Sequence, residues 1–142
     1  MAALYIAGQW RAAVAGQTRE IRCPADGAFV ATVDEAGPAD VDAAVAAART
    51  AFDDGPWPRT PELDRGAIVR RVADLIERDG AAFARAESLD TGKRLVESEY
   101  DVADVVKCFR YFAGIAGSET GRVVDTGRAD SISRIVYEPV GV

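Results

Sequence analysis

Two amphipathic helical patterns meet at Glu87-Ser88-Leu89-Asp90-Thr91-Gly92-Lys93, and that joint restricts the fold more than any other stretch. One pattern runs back from Leu89 to Pro61; the other runs forward from Lys93 to about Ala116. Gly92 fits the close of the first helix, because a residue without Cβ takes the left-handed conformation that a closing cap requires. Asp90 and Thr91 beside it offer polar side chains to the free backbone groups. Thr91-Gly92-Lys93 also ends like a phosphate-binding loop, but that motif needs Gly-x-x-x-x-Gly-Lys-Ser/Thr. Glu87 stands at its first Gly position and Arg94 at its hydroxyl position, so a carboxylate would face the phosphate. The motif is rejected.

Several function classes fall away on composition. A net charge of −6 with basic residues dispersed among acids argues against a nucleic-acid partner. No apolar run reaches the roughly 20 residues that a membrane span needs, and no basic-then-apolar leader opens the chain, so the expectation is a soluble protein of the cytoplasm, with no membrane partner. Cys23 and Cys108 lie far apart without Cys-x-x-Cys spacing, which gives neither a disulfide framework nor a zinc site. Histidine is absent altogether, and with it Ser-His-Asp and Cys-His catalysis. At 142 residues and 49% apolar, the chain has the makings of one globular domain.

Taken in order, Leu4–Trp10 reads as a strand, a Gly turn and a return, with Thr18–Arg22 and Phe29–Val33 as further strands around the Pro24-Ala25-Asp26-Gly27 turn. Asp40 is expected to cap a helix beginning at Val41, whose apolar stripe is Val41, Ala44, Val45, Ala48, Ala51 and Phe52. Gly55-Pro56-Trp57-Pro58 breaks that helix. Thr60-Pro61 restarts one, hydroxyl cap then Pro, with Ile68, Val72, Leu75 and Ile76 inside. Gly80 interrupts or bends it. The next stripe, Val102, Val105, Val106, Phe109, Phe112, Ala113 and Ala116, ends in aromatics that must be covered. Arg122–Asp125 and Ser131–Tyr137 then read as a β hairpin. The last residues, Val136–Val142, are apolar and extended, the sequence of a chain that continues.

The order of these stretches resembles the N-terminal part of the aldehyde dehydrogenase superfamily over essentially the whole chain. The matching stretches are Ile6–Trp10, Cys23–Gly27, Asp40–Val45, Gly55-Pro56-Trp57, Leu89–Lys93, Lys107–Gly114 and Glu138–Val142. Seven in the family's order are specific to it. The resemblance implies an α/β fold in its N-terminal part: short antiparallel β ribbons, a helical group, and a C-terminal β hairpin of the oligomerisation arm. Residues 1–121 would belong to the cofactor-binding domain and 122–142 to that arm, in a homo-oligomer when complete.

It further implies oxidation of a small-molecule aldehyde to a carboxylate with NAD or NADP, through attack by a Cys thiolate, an Asn-lined oxyanion site and a Glu that activates water. In the family those groups lie downstream of the Glu138–Val142 stretch. No catalytic or NAD-contacting residue is therefore carried onto this chain, and alone it is expected to bind no cofactor. Asp90 with the main-chain carbonyls of Ile21 and Arg22 matches positions that hold Na⁺ or K⁺ in some relatives. Tyr100 and Asp104 match the helix face along the substrate tunnel. Cys108 is expected to be a buried structural thiol, and Cys23 replaces the Asn usual in its turn. The other roles open to such a chain are a non-catalytic assembly partner of a full-length relative and an autonomous helical scaffold.

Overall fold

Ala7 and Gly8 both take positive φ, 53° and 79°, and so close a two-residue hairpin between β1 (Leu4–Ile6) and β2 (Gln9–Arg11). The computed structural model that shows this describes residues 3–118 and 120–140, so Gly141 and Val142 of the last motif lie outside the described residues. Tyr5 pairs directly with Trp10 across the hairpin, their rings 5.0 Å apart. A second antiparallel pair joins β3 (Thr18–Arg22) to β4 (Phe29–Asp34). Its register slips between Ile21 and Arg22, which leaves Val30 as an extra residue on β4. The turn between them is as the sequence predicts: Gly27 at φ 74° donates its N–H to the Cys23 carbonyl, and Asp26 accepts from the Ala28 N–H at 2.9 Å.

Four helices follow: α1 (Pro38–Asp53), α2 (Glu62–Arg78), α3 (Gly80–Thr91) and α4 (Leu95–Ile115). The first begins earlier than its acid suggests. Gly37 is the cap, Pro38 takes the first helical position, and Asp40 sits one turn inside. Proline's fixed φ and missing N–H suit that position. Asp40 still serves the helix start, because its carboxylate accepts the Gly37 N–H at 3.0 Å. It also accepts the Val14 N–H at 3.2 Å, and this ties the second ribbon's entry to the helix. At 1% exposure Asp40 is the most buried acid among the described residues.

The start of α2 is also corrected. Pro61 is the cap, while the Thr60 hydroxyl turns back to donate to the Pro56 carbonyl at 2.9 Å and steadies the 3-10 turn Trp57–Arg59. The break before α3 falls at Asp79, with Gly80 opening the new helix.

The largest helix contact is α2 on α4, followed by α3 on α4. Its seam is made of small residues. Gly66, Ala73 and Ala113 are buried, and a Cβ built on Gly66 would lie 2.8 Å from the Ala116 Cβ and 2.9 Å from the Ala113 carbonyl. Gly66→Val is therefore expected to lower stability by roughly 1–3 kcal/mol through overpacking, read as an earlier midpoint in urea unfolding followed by circular dichroism. Arg110 on α4 closes the seam's edge with forked hydrogen bonds to Glu77 and Asp74 on α2. That fork raises the Arg110 pKa and holds Glu77 below its ordinary carboxylate value.

Much of the expected burial does not occur within the chain. Ile68 and Leu75 are exposed, and the buried line of α2 runs instead through Gly66 and Ala73, with Val69, Val72 and Ile76 half-buried. Val41 and Val45 on α1 and Phe109 and Phe112 on α4 also face outward. Each stripe has the right period, but only part of it is covered among the described residues: on α4, Val106 and Ala113 are buried while Phe109 and Phe112 are not. Cys108 is exposed as well, contrary to the buried thiol expected of it, because its position on α4 points away from α2 and α3. A thiol reagent should accordingly modify Cys108 rapidly in the native chain and buried Cys23 only on unfolding. Two fast-reacting thiols would contradict this.

A third antiparallel pair follows the helices: β5 (Arg122–Val124) lies beside β6 (Ser133–Ile135), Val123 opposite Arg134. Thr126 and Ser131 hydroxyls meet at 2.8 Å across its loop. Every residue of both strands is exposed.

Candidate functional site

The joint between α3 and α4 is the most heavily bonded turn among the described residues. Gly92 stands at φ 75° and donates its N–H to the Ser88 carbonyl, which completes the left-handed cap predicted from sequence. Around it, the Ser88 hydroxyl donates to the Lys93 carbonyl at 2.8 Å and the Thr91 hydroxyl to the Glu87 carbonyl at 2.7 Å. Lys93 spans the joint, with its ammonium bonded to Glu87 on α3 at 2.5 Å and to Asp101 on α4. Asp101 first and Glu87 second hold its proton above the ordinary lysine range.

This joint lies against the β ribbons. A Cβ on Gly92 would come within 2.9 Å of the Ala25 backbone nitrogen, so the Cys23–Gly27 turn packs directly on the cap. Helix α3 thereby contacts β3, the strand that carries Ile21 and Arg22. Asp90, on the last turn of α3, is exposed, as is Arg22, and Ile21 is half-buried. The broken register at Ile21/Arg22 interrupts the ladder at the two residues named as carbonyl donors. Among the described residues no three His, Cys, Asp or Glu side chains come together. An ion at Asp90 would thus depend on backbone oxygens.

Tyr100 and Asp104 lie one turn apart on α4, opposite the face that buries Ser98, Val106 and Ala113. Tyr100 is 70% exposed, and Asp104 is paired with Lys107 at 2.9 Å in an open ion pair. The two stand on one side of the helix, away from Asp90's surroundings on α3. Sequence reasoning missed the Lys93 bridge and the Asp40 tie to Val14. Neither partner set has helical spacing, and the Asp40–Val14 pair spans 26 residues, so no local pattern signals them.

Comparison with known proteins decides what this arrangement belongs to. A model of the Aldehyde dehydrogenase family matches residues 10–142. The chain belongs to that family. The betaine aldehyde dehydrogenase of Bacillus subtilis is 45% identical over 139 residues, 98% of this chain and 28% of that protein. The mitochondrial aldehyde dehydrogenase of Mesocricetus auratus is 42% identical over 141 residues with the same coverage. The fold agrees: betaine aldehyde dehydrogenase from Staphylococcus aureus, solved in complex with NAD⁺, superposes with a TM-score of 0.89 at 38% identity, over 94% of this chain and 27% of that one. The ribbons, helices and hairpin are those of an N-terminal aldehyde dehydrogenase segment. The chain spans little more than a quarter of the length of these aldehyde dehydrogenases.

Proposed function

We propose that this chain is the N-terminal segment of an NAD(P)-dependent aldehyde dehydrogenase and that by itself it oxidises no aldehyde. The observation that carries the reading is the coverage: a family match over nearly all of this chain and about 28% of its relatives. The catalytic Cys, Asn and Glu that the family resemblance implies lie downstream of the Glu138 stretch. When bound to a complete enzyme, the nicotinamide cofactor would accept the hydride. The residues present here would shape and support the site. Tyr100 and Asp104 would form one wall of the aldehyde tunnel, and the β5–β6 hairpin would serve oligomerisation in the cytoplasm.

The cation reading extends this proposal. The Ile21 and Arg22 carbonyls at the register slip and the open carboxylate of Asp90 would supply an oxygen-only donor set, which suits Na⁺ or K⁺. Its readout needs no activity: a rise in the unfolding midpoint with K⁺ or Na⁺ over tetramethylammonium, abolished in Asp90→Ala, supports the site. Equal midpoints in all three salts would remove it.

The main proposal is tested by incubating purified chain with NAD⁺ or NADP⁺ and a panel of aldehydes while following reduced nicotinamide, with calorimetric titration of each cofactor beside it. No turnover and no cofactor binding are expected. Turnover with any aldehyde would sink the reading.

A further inference from the structure

Asp-Gly occurs three times in the sequence, at Asp26-Gly27, Asp54-Gly55 and Asp79-Gly80. The pair carries a chemistry of its own. Without a Cβ to hinder it, the Gly nitrogen can attack the Asp side-chain carboxyl carbon, and the new N–C bond closes a five-membered succinimide as water leaves. Hydrolysis returns that water at either carbonyl. One product is aspartate again; the other is an isoaspartyl link, in which the main chain runs through the former side chain. No group is oxidised or reduced. The step requires the Asp ψ to turn the Gly nitrogen toward the side chain, and a carboxyl that is not tied elsewhere.

Two of the three pairs are locked. At Asp26, the Gly27 N–H is bonded to the Cys23 carbonyl at 2.8 Å and the carboxylate accepts the Ala28 N–H at 2.9 Å. Turning ψ there would undo the turn that packs on Gly92. At Asp79, Arg78 donates to both carboxylate oxygens, at 2.9 and 2.6 Å, and these bonds hold the carboxyl below its ordinary range. The Asp79 main-chain carbonyl also accepts the N–H groups of Ala82 and Phe83 at 2.9 and 3.1 Å. Turning ψ there would unseat the first turn of α3.

Asp54-Gly55 carries neither restraint. Asp54 is the closing cap of α1, and its N–H bond to the Thr50 carbonyl lies on the side of Cα that ψ does not move. Asp54 is exposed, its carboxylate has no hydrogen-bond or ionic partner among the described residues, and the Gly55 N–H has no acceptor there. The Asp54 carbonyl is held only by a 3.3 Å bond from the exposed Arg59 guanidinium. We propose that Asp54-Gly55 is a site of spontaneous isoaspartyl formation, selected by the fold from three identical dipeptides. The product adds one main-chain atom between α1 and the Trp57–Arg59 turn, so the modification lengthens the link at the Gly55-Pro56-Trp57 stretch.

The test holds the native chain warm in mildly acidic buffer made with heavy-oxygen water, then cuts it with trypsin. The three pairs fall on separate peptides, residues 23–49, 50–59 and 79–85. Each hydrolysed succinimide leaves one heavy oxygen, and chromatography separates the isoaspartyl peptide from its isomer. Isoaspartate in 50–59 should form about tenfold faster than in either other peptide, the factor given by a barrier difference of roughly 1.4 kcal/mol, which one or two hydrogen bonds supply. In urea the three rates should draw together. Asp54→Glu, whose longer side chain closes only a slower six-membered ring, should abolish the signal in 50–59 while Asp53 remains. Equal native rates, a faster rate in 23–49 or 79–85, an unchanged ratio in urea, or an isomer that persists in Asp54→Glu would each overturn the proposal.

Discussion

Gly92→Ala is expected to destabilise the chain by about 3 kcal/mol, a large effect for the addition of one methyl group, because two independent penalties coincide. An L-residue held at φ 75° costs roughly 1–2 kcal/mol. The new Cβ would also stand 2.9 Å from the Ala25 nitrogen, a contact with backbone that cannot rotate away, and overpacking of this kind costs about 1–3 kcal/mol. The joint would yield by separating the Cys23–Gly27 turn from the end of α3. Thermal unfolding followed by circular dichroism measures the loss, and amide exchange at Gly27 should rise with it. A midpoint within experimental error of the parent would show that the turn does not lean on the cap. Gly80→Ala is the matching control: its φ is ordinary and its Cβ would meet only Val102 at 3.6 Å.

Asp40→Ala is expected to cost about 2–3 kcal/mol and to free the loop before β3. The substitution leaves the N–H groups of Val14 and Gly37 without their acceptor, and removes a negative charge from the first turn of α1. Asp40→Asn keeps one carbonyl oxygen and should lose less. Exchange of the Val14 amide distinguishes this tether from a simple helix cap. It should accelerate by about tenfold or more in Asp40→Ala, the loss of a bond worth roughly 1.4 kcal/mol or above, while a cap effect alone would change only the amides of α1.

Where sequence and structure agree, the signals are local. Gly92 after a periodic run, the Pro24–Gly27 turn and the paired strands on either side of 126–130 each depend on residues within a few positions of one another. Asp40 was legible as a residue of a helix start, but not its place: Gly37-Pro38-Ala39-Asp40 admits two registers, and proline's fit to the first helical position selects the earlier one. Its bond to Val14 crosses 26 residues and has no sequence signature.

The stripes behave in the opposite way. Val41, Ile68, Leu75 and Phe112 carry a correct apolar period, yet the chain leaves them exposed. Periodicity reports that a face is meant to be covered and not what covers it. Cys108 fails for a related reason: a place on a periodic helix does not say which side a residue takes, and ~100° per residue turns it away from α2. As for the candidate site, Tyr100, Asp104, Asp90, Ile21 and Arg22 were legible only through family resemblance, since none of them forms a chemical constellation of its own.

The α2–α4 seam has a consequence for the order of events in folding. Gly66, Ala73, Ala113 and Ala116 have no side-chain rotamers to freeze, so docking these helices sacrifices backbone freedom and almost nothing else. The two helices are also separated by only one short helix, which keeps the closing loop modest. The seam can therefore assemble early, as a rigid pair of rods against which α3 then docks.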